Sequence, residues 1–140
     1  KPKQSSRESA VRVKLNVLRE AVDGKRVIMI DDSIVRGTTS NRIVSMLREA
    51  GAREVHVRVS APPFLYPCYF GTDIPSSDQL IAYGKTEDEI CKIIGADSLS
   101  YLKVERLKEM AGNLPICTAC FTGDYPVDPP GEDIRGIYEK

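Results

Sequence analysis

The sequence predicts an α/β fold: a parallel sheet with flanking helices, followed by an irregular C-terminal cysteine-bearing segment. Three observations carry this reading. Arg26-Val27-Ile28-Met29-Ile30 is a short continuous apolar run, the pattern of a strand buried on both faces. Helical periodicity follows, with Ile43, Leu47 and Ala50 aligned on one face. Glu54 to Ser60 is then β-branched and alternating, so strand, helix and strand recur in the order of a parallel βαβ unit.

Taken in order, Ser5 through Val22 reads as a helix. Ser5 with Glu8 makes a capping box, and Val11, Leu15, Leu18 and Val22 share one face. Gly24 stands where a C-terminal cap belongs. After the first strand, the second helix is expected from Ser40 to Ala50, with Gly51 as its stop. Ala61-Pro62-Pro63 ends the regular alternation. An aromatic stretch from Phe64 to Phe70 and a turn-rich segment to Ser77 come next. Thr86 and Glu89 cap a helix carrying Ile90, Ile93 and Ile94, which Gly95 stops. Ser98 to Leu102 reads as a short strand, and Val104, Leu107 and Ala111 as a further helix. The expected organisation is a ligand-binding part over 1–63 and a helical, cysteine-bearing portion of the same domain over 64–127. Residues 128–140 read as a loosely held tail.

At 140 residues the chain fits one domain. Twenty basic and twenty acidic residues cancel, which argues against a nucleic-acid partner bound through net charge. No apolar run approaches the roughly 20 residues that span a bilayer, so no membrane association is expected. Lys1 to Arg7 has no apolar region behind it, and a cytoplasmic location follows as the expectation. The chain opens on Lys1 rather than Met and reads as a piece of a longer protein.

The informative string is Asp31-Asp32-Ser33-Ile34-Val35-Arg36-Gly37-Thr38-Thr39. In open α/β sheets ligands bind beyond the carboxyl ends of strands, and Asp31 and Asp32 sit at that end. Two adjacent carboxylates repel unless a divalent cation or a set of hydroxyls offsets the charge. Gly37 then allows close backbone approach, and hydroxyls with backbone amides precede a helix N-terminus, an anion site. Together these describe a polyol joined to a phosphate. The same residues also fit an ordinary turn and helix cap.

Beyond that local chemistry, residues 27–40 resemble the phosphoribosyl-pyrophosphate (PRPP) binding signature of the type I phosphoribosyltransferases. The wording from Asp31 to Ser40 is similar to the amidophosphoribosyltransferase family. The resemblance continues through Arg12 to Asn16, Ser60 to Pro63, Pro67 to Asp73, Ile94 to Leu99 and Cys120 to Pro126. It implies a partial type I phosphoribosyltransferase fold. It also implies that Asp31 and Asp32 contact the ribose hydroxyls and help place Mg²⁺, while Ser33 through Thr39 hold the 5′-phosphate. Pro2-Lys3-Gln4 resembles the tail of the family's catalytic loop. The implied reaction makes phosphoribosylamine from PRPP and glutamine-derived ammonia, the first committed step of purine synthesis. The family's N-terminal glutaminase domain is not in this sequence, so the stretch is expected to be inactive alone. Homo-oligomerisation and binding of nucleotide small molecules are implied as well. A non-catalytic PRPP-binding regulatory module and a small metal-binding domain with an incidental phosphate turn are the competing readings.

Four cysteines are present: Cys68, Cys91, Cys117 and Cys120. Cys117-Thr118-Ala119-Cys120 lets two thiolates converge on one metal or cluster, and a redox pair or two unrelated buried cysteines fit the same spacing. Cys68, between Pro67 and two aromatics, offers a third sulfur. One branch of the family holds a structural [4Fe–4S] cluster, and by resemblance Cys68, Cys117 and Cys120 match three of its ligands. The fourth lies upstream in the family, and zinc is the alternative occupant. Cys91 is read as core. His56 is expected at a strand surface or edge, Tyr66 and Tyr69 against the cysteine site, and Lys103, Arg106 and Lys108 on a solvated helix face.

Overall fold

The computed structural model describes residues 16–71, 76–112 and 114–129. The elements run α1 (Arg19–Val22), β1 (Arg26–Asp31), α2 (Thr38–Glu49), β2 (Glu54–Val59), a 3-10 turn (Ser77–Gln79), α3 (Glu87–Ile94), β3 (Ser98–Tyr101), α4 (Val104–Ala111) and α5 (Ala119–Thr122). β1, β2 and β3 form one parallel sheet in that order. Arg26 stands opposite Glu54 and Asp31 opposite Val59; on the other side His56 faces Ser98 and Val59 faces Tyr101. Parallel pairing needs crossover connections, which α2 and α3 supply.

Period-2 alternation sorts the sheet into two faces. Val55, Val57 and Val59 of β2 and Leu99 and Tyr101 of β3 pack in one core with Val44 of α2 and Ile90 and Ile94 of α3. Each such side chain, fully buried, stabilises by about 1.5–3 kcal/mol. The α3 start is the expected capping box: Thr86 Oγ1 accepts from the Glu89 N–H at 3.3 Å, and Glu89 Oε2 accepts from the Thr86 N–H at 2.8 Å. Gly95 closes that helix at φ 77°. Asp97, in the turn into β3, accepts from the Val55 N–H at 2.6 Å and from Arg48 Nη2 at 2.9 Å, tying α2 to the sheet.

Two expectations are corrected. The strand at 26–30 is not buried on both faces: Ile28 and Ile30 are 67% and 77% exposed. They share the open face with Arg26, Glu54, His56, Arg58, Ser98 and Ser100, because the described helices pack on the other one. The helix predicted over 5–22 is interrupted in its described part. Asn16 to Leu18 are not helical, and Leu18 is extended and 75% exposed; among the described residues of that stretch Arg19–Val22 is helical, with Val22 buried. A stripe of apolar residues makes a helix where it has a surface to bury against, and Leu18 is left largely exposed. Ser5, Glu8, Val11 and Leu15 lie outside the described residues. His56 lies on the open face of the sheet, the surface position expected for it, and on the middle strand rather than an edge one. Its Nδ1 meets Ser98 Oγ at 2.8 Å and its Nε2 meets Glu54 Oε2 at 2.9 Å. Cys91 packs on the core as expected, its Sγ donating to the Ala96 carbonyl at 3.3 Å.

Candidate functional site

Asp31 ends β1, so both acidic residues emerge at the carboxyl edge of the sheet. From there the chain turns through Ser33 to Gly37 and enters α2 at Thr38, two residues earlier than the periodicity predicts. The residues Asp31 to Ser40 line one open cleft of about 410 Å³. All nine residues predicted from the sequence line it, and Ser40 adds a tenth.

The two carboxylates differ. Asp31 is half-buried: its Oδ1 accepts from the Asp32 N–H at 3.0 Å and its Oδ2 from Ser40 Oγ at 3.2 Å. Burial raises its pKa above the usual carboxylate value, and the bonds from Ser40 and Asp32 hold the rise back. Asp32 is exposed, with Oδ1 accepting from Ser33 Oγ at 3.3 Å.

The turn is anchored by apolar side chains and left polar at its backbone. Ile34 is 2% exposed and joins the main core. Val35 packs into a second cluster with Phe64, Leu80, Cys68, Cys120 and Phe121, and its carbonyl accepts from the Ile81 N–H at 2.8 Å. Gly37 caps α2 at φ 76°, ψ −10°, lying against Ile81. The left-handed conformation there favours glycine. Thr38 and Thr39 are exposed in the first helical turn, where backbone N–H groups lack intrahelical partners and favour an anion. The Leu80-Ile81-Ala82 segment beneath the turn is fully buried and was not anticipated; its apolar character was the available signal.

A Mg²⁺ ion is ordinarily held by one or two carboxylates plus substrate phosphate oxygens and waters. Asp31 and Asp32 fit that mode. Among the described residues no three His, Cys, Asp or Glu side chains gather as a complete metal site.

The cysteine wall stands beside the turn. α5, a helix the sequence reading did not foresee, carries Cys120, whose carbonyl accepts from the Leu65 and Tyr66 N–H groups at 3.0 Å each. Phe64 stacks on Phe121 at 5.1 Å, Tyr69 meets Tyr125 edge-on at 5.3 Å, and the Tyr125 hydroxyl donates to the Pro67 carbonyl at 2.8 Å. Cys68 and Cys120 thus share one apolar shell, while Cys117 lies exposed at its rim. Burial pushes the Cys120 thiol up to about 11, and the neighbouring Cys68 and Cys117 add to the rise. The three sulfurs lie in one neighbourhood without forming a closed donor set. Lys103, Arg106 and Lys108 are exposed, as expected.

No family model matches the chain. It is 54% identical over 136 residues to the amidophosphoribosyltransferase of Archaeoglobus fulgidus, covering 94% of this chain and 30% of that protein. The amidophosphoribosyltransferase of Bacillus subtilis is 53% identical over 133 residues, covering 91% of this chain and 28% of that protein. Among solved structures, the allosteric regulatory enzyme of purine biosynthesis matches with a TM-score of 0.80 at 51% identity, over 96% of this chain and 30% of its own. The glutamine PRPP amidotransferase of B. subtilis, complexed with ADP and GMP, matches with a TM-score of 0.77 at 50% identity, over 94% of this chain and 30% of its own. The chain therefore spans about 30% of the length of the relatives it matches. The sheet and its flanking helices are a part of the phosphoribosyltransferase fold, and over this stretch the chain belongs to the amidophosphoribosyltransferase family.

Proposed function

We propose that this chain is the PRPP-binding part of an amidophosphoribosyltransferase, which forms 5-phosphoribosylamine from PRPP and glutamine-derived ammonia at the entry to purine synthesis. The observation that supports it is the placement of a half-buried and an exposed carboxylate directly before a glycine-capped helix N-terminus. In this reading Asp31 and Asp32 accept from the ribose hydroxyls. The N–H groups and hydroxyls of Ser33 to Thr39 grip the 5′-phosphate, with Ile34 and Val35 contributing backbone only, since their side chains face inward. Mg²⁺, taken up by Asp31 and Asp32 together with the substrate, supplies charge neutralisation at the diphosphate that departs from C1. The chain's own part is to fix the sugar while positive character develops there, an electrostatic and positioning task.

The cysteines are proposed as three ligands of a [4Fe–4S] cluster, Cys68, Cys117 and Cys120, with the remaining ligand outside this stretch. The apolar shell that Cys68 and Cys120 share, with Cys117 close by, supports this, since such clusters are held by cysteine thiolates. Nucleotide binding, homo-oligomerisation, a glutaminase domain elsewhere in the protein and a cytoplasmic location complete the reading. Among the described residues no helix is long and apolar enough to cross a membrane.

The test is Mg²⁺-dependent PRPP binding by titration calorimetry, with Asp31→Asn/Asp32→Asn beside the unaltered chain. The double variant is expected to weaken binding at least tenfold, since each charged hydrogen bond contributes about 1.5–3 kcal/mol. Equal affinity for the two proteins refutes the assignment.

A further inference from the structure

We propose that Ser40 is a positioning residue that fixes the carboxylate of Asp31 in register with the phosphate grip of the same helix turn. The inference rests on the PRPP reading above and adds a residue that lies beyond the nine-residue string.

Ser40 is 3% exposed, one of two buried polar side chains among the described residues. A serine inside a helix commonly donates back to the carbonyl four residues earlier. Ser45 does so here, bonding the Asn41 carbonyl at 2.9 Å, and Thr122 does the same to Thr118 at 3.1 Å. Ser40 instead donates out of its helix to Asp31 Oδ2 at 3.2 Å, while the Asp32 N–H occupies Oδ1 at 3.0 Å. With a donor on each oxygen, the carboxylate plane of Asp31 is set from inside the protein. Asp31 lines the cleft, and each of its oxygens keeps a further lone pair to accept from a ligand.

Ser40 itself cannot drift. It belongs to the first turns of α2, whose next turn puts Val44, 1% exposed, into the core. The backbone of that first turn is tied back by the Asn41 N–H to the Gly37 carbonyl at 2.9 Å. The amides of Thr38 and Thr39 and the hydroxyl of Ser40 therefore move as one body. The phosphate grip and the acceptor for the sugar are held at one spacing through Ser40. Asp32, exposed and accepting from Ser33 Oγ, has no such tie to the helix among the described residues.

The prediction separates the two halves of the ligand. Titration calorimetry at constant Mg²⁺ would compare PRPP with inorganic phosphate on the unaltered chain, Ser40→Ala, Ser40→Thr and Asp31→Asn. Ser40→Ala is expected to weaken PRPP about tenfold, the usual scale for losing a hydrogen bond to a charged group. Binding of inorganic phosphate is expected to stay within about twofold, because the helix amides remain. Ser40→Thr keeps the hydroxyl and is expected to restore most of the PRPP affinity. A merely structural role for Ser40 would weaken both ligands alike, and that outcome overturns the proposal. So does unchanged PRPP affinity in Ser40→Ala while Asp31→Asn loses it, which leaves the site assignment standing. An unaltered chain that binds no PRPP overturns the site assignment and this inference together. If Ser40→Ala fails to fold by circular dichroism, Ser40→Cys, of similar shape with a weak donor, carries the same comparison.

Discussion

Replacing Gly37 by alanine puts the relation between the phosphate turn and its support to the sharpest test. Two costs add. Gly37 sits at φ 76°, where a Cβ crowds the following carbonyl and costs about 1–2 kcal/mol. The new methyl would also lie inside van der Waals contact of Ile81 Cδ1, 3.4 Å from Ile81 Cγ1 and 3.6 Å from Ile94 Cγ2. Ile81 is 7% exposed within the core, so relief requires repacking at about 1–3 kcal/mol. Gly37→Ala should therefore destabilise the chain by about 2–5 kcal/mol in urea unfolding. Ile81→Val removes the atom that clashes first and costs about 0.5–1.5 kcal/mol alone. In the double variant the steric part should be recovered while the backbone part stays. The two substitutions would then couple favourably by about 1 kcal/mol or more. A Gly37→Ala cost below about 0.5 kcal/mol, or strict additivity in the double variant, would refute the view that Ile81 supports the turn.

Two further outcomes can be checked on the same unfolding curves. Tyr101 Oη is buried without a hydrogen-bond partner among the described residues, so Tyr101→Phe should leave stability unchanged or raise it by up to about 1 kcal/mol. Burial pushes the Tyr101 hydroxyl up to about 12, so the folded state keeps a proton that the unfolded chain releases near pH 10; stability should fall between those values in the parent and less in the Phe variant. The Val55 N–H, with Arg48 beside it, holds the Asp97 carboxyl below its ordinary value, so its contribution is present above about pH 3.9 and lost as the pH falls through the depressed value. Asp97→Asn should cost about 1–2 kcal/mol at pH 7, allowing for partial exposure, and should flatten that acid limb; an unchanged acid limb would sink the assignment.

The parts of the molecule legible in sequence are those where neighbours along the chain do the work. The capping box at Thr86 and Glu89, the glycine stop at Gly95 and the acid pair ahead of a glycine-capped helix are all contacts within a few residues. Their geometry follows from the local order of residue types, which is why the cleft contained every residue expected of it. The four-residue α5 escaped notice for the opposite reason. It is too short to show periodicity, and its surroundings of proline and glycine read as loop. What holds it is tertiary, chiefly the stack of Phe121 on Phe64 and the two amides on the Cys120 carbonyl.

The exposed isoleucines of β1 carry a different lesson. A continuous apolar run speaks for burial on both faces, and that inference concerns a complete sheet. Here the residues opposite Ile28 and Ile30 on the middle strand are His56 and Arg58, joined with Glu54, Arg26 and Ser98 in a hydrogen-bonded row. One face of the sheet is therefore built as a hydrophobic floor for α2 and α3, and the other as a polar row edged by two aliphatic side chains. The ligand cleft is tied to the first. Ile34 enters the core beneath that floor, Ile81 holds the Val35 carbonyl, and Ser40 reaches from α2 to the end of β1. None of these three ties is visible in the order of residues around Asp31 and Asp32. The local string specifies what the site can bind, and distant packing specifies how firmly it is held, so substitutions at Ile81 and Ser40 should alter affinity without touching the ligand.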